Sequence, residues 1–425
     1  METDTTLRGW RHALDVYTDR RVLTILPLGF ASGLPLLLTY STLATWLKVD
    51  GISLGAIGAF AAVGTPYAFK FVWSPLIDRL PPPLPFGRRR GWGITIQIAL
   101  IIAIIALGSC DPANNLELVR ALAILVAFLS ASQDVVIDAY RVESLTAEEQ
   151  GPGAALIQAG YRIAMLVSGA GSLVIAQHVS WFAAYATMAA LLVVGLVVFI
   201  LAPEPGASAT TRHGPESLRA WIKTAVVDPF ADFMRRPIWP VILIFIFGYK
   251  LGEALAGRMA SPLYIELGFT LDEIAAVSKV FGFFATVGGA LLGGIVTAKI
   301  GPLRALLICG VLQSVGNLAY VLQAVAGHRV EALALCVAAE NLTGGMAAAA
   351  MVAYLSSLCS PAFTATQYAL LSSVAVVGLN IVGSISGVLA QTMGWVDYFL
   401  LTTVITLPAL ALLPWIARAS RNAPT

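Results

Sequence analysis

The sequence has 425 residues, of which 58% are hydrophobic and only 12% are charged, and its mean hydropathy is +0.82. Soluble domains carry roughly 25% charged residues, so the composition excludes an ordinary soluble protein and predicts an all-α polytopic membrane protein. The net charge of +2 gives no sign of a nucleic-acid partner, and we expect the lipid bilayer to surround most of the chain.

Apolar stretches recur along the chain at the length of a membrane-spanning helix, about 20 residues. The first follows a run of arginines and is too long for a signal-peptide core, so we predict an uncleaved first helix. The twelve predicted spans are 23–47, 53–77, 92–110, 116–142, 151–177, 181–202, 238–264, 271–298, 303–325, 331–358, 363–391 and 395–417.

The distribution of lysine and arginine predicts the orientation of these spans. With the N-terminus inside, most Lys and Arg residues of the connecting segments are cytoplasmic, and only Lys48 and Arg329 fall in outer loops. Because cytoplasmic loops carry the excess of positive charge, we predict that both termini are cytoplasmic.

The connection after the sixth span divides the chain into an N-terminal six-helix half (1–202), a cytoplasmic linker (203–237) and a C-terminal six-helix half (238–425). Asp78-Arg79 with Gly87–Arg90, and Gly293–Arg304, form basic, glycine-containing turns at equivalent positions of the two halves. Basic turns also follow from the orientation rule alone, but the matched positions favour a repeat. A parallel repeat of six plus six is the arrangement of major facilitator transporters.

The linker contains apolar residues at helical spacing: Leu218, Trp221, Ile222, Ala225, Val226, Phe230 and Phe233. We predict an amphipathic helix that lies on the inner membrane surface. A binding site for a regulatory partner is the alternative.

The fourth span contains the stretch Ser130–Glu143, in which ionisable groups replace the apolar residues that lipid requires. Asp134 and Asp138 share a helix face, about 6 Å apart along the axis, and Arg141 is spaced to pair with Asp138. A carboxylate at the bilayer centre costs at least about 2.5 kcal/mol, so we expect this face to meet a wet cavity or a partner charge.

Other spans also carry polar groups at depth. Lys70 either snorkels to the inner surface or faces the cavity, Arg162 is too deep to snorkel and is expected to pair with Asp134 or Asp138, and Lys250 and Glu253 are spaced to pair with each other. The remaining groups near the midplane or in the eleventh span are Lys279, Glu340, Asn341, Thr364, Thr366, Gln367, Tyr368 and Asn380. Fixed cations beside carboxylates suit a proton-coupled importer of a large acidic solute.

Several motifs resemble the AmpG muropeptide permeases of the major facilitator superfamily. They are Leu28-Gly-Phe-Ala-Ser-Gly-Leu-Pro35, Tyr67–Arg79, Gly87–Trp92, Ser132–Arg141, Tyr249–Gly257, Glu340–Met346 and Phe363–Ser373. The resemblance runs in order along nearly the whole chain. One departure is Glu253, which stands where many members have Asp.

The resemblance implies a proton-coupled importer in the bacterial inner membrane that carries N-acetylglucosamine–1,6-anhydro-N-acetylmuramic acid and its peptides, an import that feeds the signal for β-lactamase induction. We expect a monomer with muropeptide and protons as its partners; the alternative substrate is another large anionic solute such as acetyl-CoA. We assign proton coupling to Asp134, Asp138, Glu253 and Glu340, substrate binding to Lys70, Arg162, Lys250, Lys279, Asn341, Gln367 and Tyr40, and gating to Asp78, Arg79, Arg88 and Arg141.

An intramembrane enzyme is the competing function class, and it would need a nucleophile with its base or a metal site. The four histidines fall in predicted tails or loops, and Cys110, Cys309, Cys336 and Cys359 occur singly without C-x-x-C spacing. We therefore expect no enzyme activity, no cofactor and no metal.

Overall fold

A computed structural model describes residues 16–52, 60–206, 227–236 and 238–422. These residues are helical almost throughout, and none of them forms a strand. The helices are α1 (Arg20–Thr39), α2 (Ser41–Val49), α3 (Thr65–Phe69), α4 (Ser74–Arg79), α5 (Arg88–Gly108), α6 (Leu116–Ser144), α7 (Gln150–Leu166), α8 (Ser172–His178), α9 (Trp181–Leu191), α10 (Val193–Leu201), α11 (Asp228–Met234), α12 (Trp239–Tyr249), α13 (Leu251–Glu266), α14 (Leu271–Ile274), α15 (Gly282–Ile300), α16 (Pro302–Gly316), α17 (Leu318–Ala326), α18 (Val330–Ser357), α19 (Thr364–Ser384), α20 (Ser386–Met393), α21 (Trp395–Val404) and α22 (Leu407–Asn422).

Ten of the predicted spans correspond to stretches that are long and apolar enough to cross a membrane. The second predicted span begins in residues 53–59, outside the described part, and continues as short helical pieces from Phe60 to Arg79. The prolines at positions 66 and 75 stand at the starts of α3 and α4, where a missing N–H is tolerated. The eleventh is divided between α19 and α20, and side chains 377–384 lie outside the description.

Glycines bring the first and fifth spans into direct backbone contact. A Cβ on Gly29 would lie 2.3 Å from the Ile157 carbonyl oxygen, and one on Gly160 would lie 2.1 Å from that of Leu26. Side chains larger than hydrogen would push α1 and α7 apart. This contact places Asp134 on α6 beside Ser32 of α1.

Apolar cores occupy both parts of the chain. One contains Leu34, Trp46, Leu100 and Tyr185, and another contains Phe245, Tyr249, Leu306 and Met351 among its members. A small cluster of Ala155, Ala290 and Ala349 joins residues from α7, α15 and α18. Small side chains at that junction allow these helices to approach closely.

The predicted linker helix is described only at its end. Leu218, Trp221, Ile222, Ala225 and Val226 lie outside the described residues, whereas α11 follows as a helix with Phe233 buried. Arg236 donates a hydrogen bond to the Leu358 carbonyl at 2.7 Å. The end of the linker is therefore packed against the loop between α18 and α19.

Candidate functional site

The fourth-span carboxylates lie in a charged cluster, as the stretch predicted. Lys70 Nζ lies 3.8 Å from Asp138 Oδ2, and Arg141 Nη2 lies 3.7 Å from Asp138 Oδ1. Lys70 and Arg141 are themselves buried. Asp138 is therefore held between two cations.

Asp134 has a different environment, although it is only one helical turn away on α6. Ser32 Oγ donates a hydrogen bond of 2.6 Å to Asp134 Oδ1, and no cation of the described residues lies within ion-pair distance of it. The prediction that Arg162 pairs with one of these aspartates is wrong, because the partners are Lys70 and Arg141 for Asp138 and Ser32 for Asp134.

The seventh span is interrupted at Lys250, which separates α12 from α13. Lys250 Nζ forms an ion pair with Glu253 Oε2, as the spacing predicted. Gln313 Nε2 of α16 donates a hydrogen bond of 3.0 Å to the same carboxylate oxygen. A discontinuous helix exposes backbone and charged groups toward a cavity in many transporters, and here it carries the Lys250–Glu253 pair.

Glu340 and Asn341 lie on α18 and are half-buried. Thr286 Oγ1 donates a hydrogen bond of 2.7 Å to Asn341 Oδ1, and Asn341 Nδ2 donates to the Val337 carbonyl at 2.9 Å. The Asn341 side chain is therefore oriented by its neighbours. Within the described part of the chain, no hydrogen-bond donor reaches the Glu340 carboxylate.

Arg162 lies on α7. Its side chain is exposed, and its positive charge acts on both Glu253 and Glu340. Residues from α7, α13 and α18 therefore share one electrostatic environment. An exposed guanidinium near two carboxylates can also bind an anionic ligand, which then replaces those carboxylates as its partner.

The other predicted binding residues have different positions. Tyr40 is 42% exposed at the break between α1 and α2, and its ring centroid lies 6.2 Å from that of Tyr67. The side chain of Lys279 lies outside the described residues. Gln367 is buried, and its amide donates to Asp232 Oδ2 at 2.8 Å and accepts from Ser360 N at 2.7 Å. It anchors α11 and does not line the charged region.

One end of the helix bundle is closed by polar contacts around Asp78. This buried carboxylate accepts hydrogen bonds from Thr366 N at 2.8 Å, Thr366 Oγ1 at 2.7 Å and Ala365 N at 3.3 Å. These donors belong to the first turn of α19, where backbone N–H groups have no helical partner. Asp78 on α4 thus caps a helix from the other part of the chain, 288 positions away in sequence.

Arg89 and Glu143 complete this contact, and the sequence reasoning did not select them. Arg89 Nη2 lies 2.7 Å from Asp78 Oδ1 and 2.6 Å from Glu143 Oε1, and Arg89 is only 1% exposed. Arg88 joins Glu143 at 3.2 Å. Three consecutive arginines at a helix start cannot all face the same side, and this was the signal that one of them is buried.

Arg141 also crosses between the two parts of the chain. Its Nη1 donates a hydrogen bond of 2.8 Å to Ser356 Oγ, and its guanidinium lies 5.2 Å from the centroid of the Tyr368 ring. Arg79 similarly lies 5.4 Å from the centroid of Phe363. All four residues predicted to gate are therefore at this end, together with Arg89 and Glu143.

Backbone contact closes the same end beside the charges. A Cβ on Gly151 would lie 2.8 Å from the Gly294 carbonyl oxygen, and Tyr17 Oη donates a hydrogen bond of 2.8 Å to the Leu291 carbonyl. Tyr17, Asp78 and Arg141 thus all make hydrogen bonds to residues of 227–422 at this end. We call it the closed end; the Lys and Arg distribution predicts that it is cytoplasmic.

The described residues contain no group of three or more His, Cys, Asp or Glu that could hold a metal ion. The chemistry that the site offers consists of carboxylates that can take up a proton, cations that can bind an anion, and hydrogen-bonding groups.

Comparison with known proteins identifies the family. A profile of the Major Facilitator Superfamily matches residues 22–257 and 251–425. The anhydromuropeptide permease of Escherichia coli K12 is 43% identical over 402 residues, which cover 94% of this chain and 80% of that protein. The putative transporter AmpG 4 of Rickettsia conorii is 36% identical over 405 residues, covering 94% of this chain and 97% of that protein.

Solved structures share the fold at low sequence identity. The fucose:proton symporter FucP of E. coli is 12% identical with a TM-score of 0.69, covering 95% of this chain and 98% of that chain. The human organic anion transporter MFSD10 is 13% identical with a TM-score of 0.65, covering 95% and 99%. The chain is therefore a multi-pass membrane transporter of the Major Facilitator Superfamily and, within it, belongs to the AmpG group of permeases.

Proposed function

We propose that this chain imports anhydro-muropeptides, namely N-acetylglucosamine–1,6-anhydro-N-acetylmuramic acid with or without its peptide, across the bacterial inner membrane. The observation that carries the proposal is the 43% identity, over nearly the whole chain, to an anhydromuropeptide permease. In a bacterium with an inducible β-lactamase, this import would supply the inducing signal.

The charges between the two parts of the chain support an acidic substrate. Lys250 and Arg162 would bind the substrate's carboxylates, which would compete with Glu253 and Glu340 for them. Tyr40 and Asn341 would contribute an aromatic ring and an amide to the sugar or peptide. Gln367 is left out of this set because its amide is engaged by α11 and the adjoining loop.

Import is proposed to be driven by protons, with Asp134 as the first candidate for the proton site. Among the described residues it accepts a hydrogen bond from a neutral hydroxyl and forms no ion pair, whereas Asp138 lies between the cations Lys70 and Arg141. A carboxylate without a cation is the one whose protonation depends on whether the cavity is wet. Glu340, which lacks a donor within the described part, is the second candidate.

The closed end is proposed to be the cytoplasmic gate of a monomeric transporter with both termini inside. Asp78, Arg89 and Glu143 would hold the conformation in which the binding site faces outward, and Arg141 and Arg79 would add contacts to α18 and α19. Release to the cytoplasm would require these contacts to break. The six-plus-six division remains our prediction for the moving units.

The alternative substrate, acetyl-CoA or another large anion, is less well supported because the relatives with high identity are named for muropeptides or for AmpG. The test is uptake of labelled anhydro-muropeptide into vesicles that contain the purified protein. We expect accumulation with an inward proton gradient, equilibration without one, and little uptake of labelled acetyl-CoA. Preferential uptake of acetyl-CoA would contradict the proposed substrate. Accumulation to the same level with and without the proton gradient would contradict the proposed coupling.

A further inference from the structure

A groove of about 1080 Å³ lies at the closed end, on the side of the bundle, between the first turn of α1 and the end of α10. Its walls include Arg20, Arg21 and Leu23 from α1, and Val197 and Leu201 from α10. The groove is separate from the charged region proposed to bind substrate. Its ligand follows from its position and its charge.

The groove lies where the membrane surface meets the protein. One candidate membrane span begins at Arg20 and another ends at Leu201, so the groove is at the level of lipid headgroups. Leu23, Val197 and Leu201 are 51%, 45% and 72% exposed. Apolar side chains exposed at the end of a membrane span contact acyl chains, so the groove opens sideways to lipid.

The carboxylates of the groove are already bound by the protein. Asp19 Oδ1 accepts a hydrogen bond from Arg21 N at 2.7 Å, and Glu143 lies between Arg88 and Arg89. Glu204 accepts from the backbone N–H of Arg89 at 2.7 Å. Each of these three carboxylates is therefore already engaged by a hydrogen-bond donor of the protein.

The arginines of the groove differ in whether their guanidinium groups bind other parts of the protein. Arg90 donates to the carbonyl oxygens of Phe199 at 2.8 Å and Ile200 at 2.5 Å. The exposed side chains of Arg20 and Arg21, in contrast, form no ion pair with any residue that the structure describes. The groove therefore has two adjacent exposed guanidinium groups, at headgroup level, that form no ion pair within the described part of the chain.

We propose that this groove binds an anionic phospholipid of the inner leaflet, with the headgroup phosphate on Arg20 and Arg21 and an acyl chain along Leu23, Val197 and Leu201. Guanidinium groups match phosphate oxygens in charge and in fork geometry. Basic pockets between membrane helices on the cytoplasmic side are suited to such lipids. A zwitterionic lipid should bind more weakly, because the carboxylates that could meet its ammonium group already accept hydrogen bonds from the protein.

The bound lipid would also support the closed end. Glu143 lines the groove and is the common partner of Arg88 and Arg89. A phosphate on Arg20 and Arg21 would occupy the two cations of the groove that could compete with Arg88 and Arg89 for Glu143. The lipid therefore stabilises the conformation in which Asp78 is joined to α19. This inference does not depend on the identity of the transported solute.

The test uses the full-length protein, purified and placed in nanodiscs of phosphatidylcholine alone or mixed with phosphatidylglycerol. Retained phosphatidylglycerol is counted by native mass spectrometry, and thermal unfolding is measured in both lipids. Each arginine near a membrane surface gives about a fivefold gain in affinity, so Arg20→Gln/Arg21→Gln should lower phosphatidylglycerol affinity roughly 25-fold and abolish its thermal shift. Arg418→Gln, which removes an exposed arginine near the end of α22 outside the groove, is the matched control and should change neither readout.

Two further arms separate the possible outcomes. Leu201→Asp places a negative charge on the exposed wall of the groove and leaves α1 unchanged. It should also lower phosphatidylglycerol retention, so the proposal can still be tested if the double variant folds poorly. Inorganic phosphate added to phosphatidylcholine nanodiscs should give no shift. Equal retention by parent, double variant and Leu201→Asp would overturn the proposal, because the lipid would then be held elsewhere. A loss in Arg418→Gln as large as the loss per arginine in the double variant would overturn it in favour of general surface charge. A full shift with inorganic phosphate would overturn the lipid as the ligand.

Discussion

Removing the Asp78 carboxylate should open the closed end. In Asp78→Ala, the N–H and hydroxyl of Thr366 lose acceptors at 2.8 and 2.7 Å, while Arg89 keeps Glu143. Hydrogen bonds to a charged group contribute about 1.5–3 kcal/mol each, and opening lets water replace them. We therefore expect the balance to shift by about 3 kcal/mol toward the open conformation, a factor of roughly 150.

The assay is maleimide labelling of Thr297→Cys in a background without the native cysteines. Thr297 is 4% exposed at the closed end, and it lies beside Gly151 of α7, so its labelling rate reports opening. Asp78→Asn keeps one acceptor oxygen and should show an intermediate increase. Glu117→Ala, which removes an exposed ion pair with Arg120, should not change the rate. Equal labelling in Asp78→Ala and its parent, with normal uptake, would refute the proposed gate.

Other predictions address coupling, binding, closure and pH. Asp134→Asn should abolish uphill accumulation but leave solute exchange partly intact, measured in the same vesicles; unchanged accumulation would move the proton site elsewhere. Arg162→Ala should raise KM about tenfold or more, as expected when a charged hydrogen bond of about 1.5–3 kcal/mol is lost, with an unchanged KM counting against contact with substrate. Gly151→Val should increase the Thr297→Cys labelling rate, because the added atoms meet the Gly294 carbonyl oxygen at 2.8 Å or less; a slower or equal rate would contradict that packing. Hydrogen bonds from the backbone N–H and the hydroxyl of Thr270 lower the pKa of the Glu273 carboxyl, so its stabilisation is present above the ordinary pKa and lost as pH falls through the lowered one. Glu273→Gln should therefore flatten the acid limb of the thermal-stability profile, and an identical limb would show that this carboxylate contributes nothing.

The sequence identified the charged residues, but it predicted their ion pairs correctly only within single helices. Lys250 with Glu253 and Arg141 with Asp138 were predictable, because both pairs lie three positions apart on one helix and helical geometry fixes their distance. Lys70 with Asp138 was not, because the two residues belong to different spans. Arg162 was assigned to the nearest aspartates in sequence, yet its charge acts on Glu253 and Glu340 instead.

Composition alone determined that the chain lies in a membrane, because long stretches with so few charges and so many apolar residues are stable in a bilayer and not in water. The order of the motifs determined the family, and helical spacing determined which charges share a face. Only the tertiary structure decided which charges meet across helices. Asp78 caps α19 and Arg89 reaches both Asp78 and Glu143, and Gln367 holds α11 rather than the solute site. These contacts depend on how helices that are distant in sequence cross, and a crossing depends on the shapes of both surfaces, which no periodicity within one helix contains.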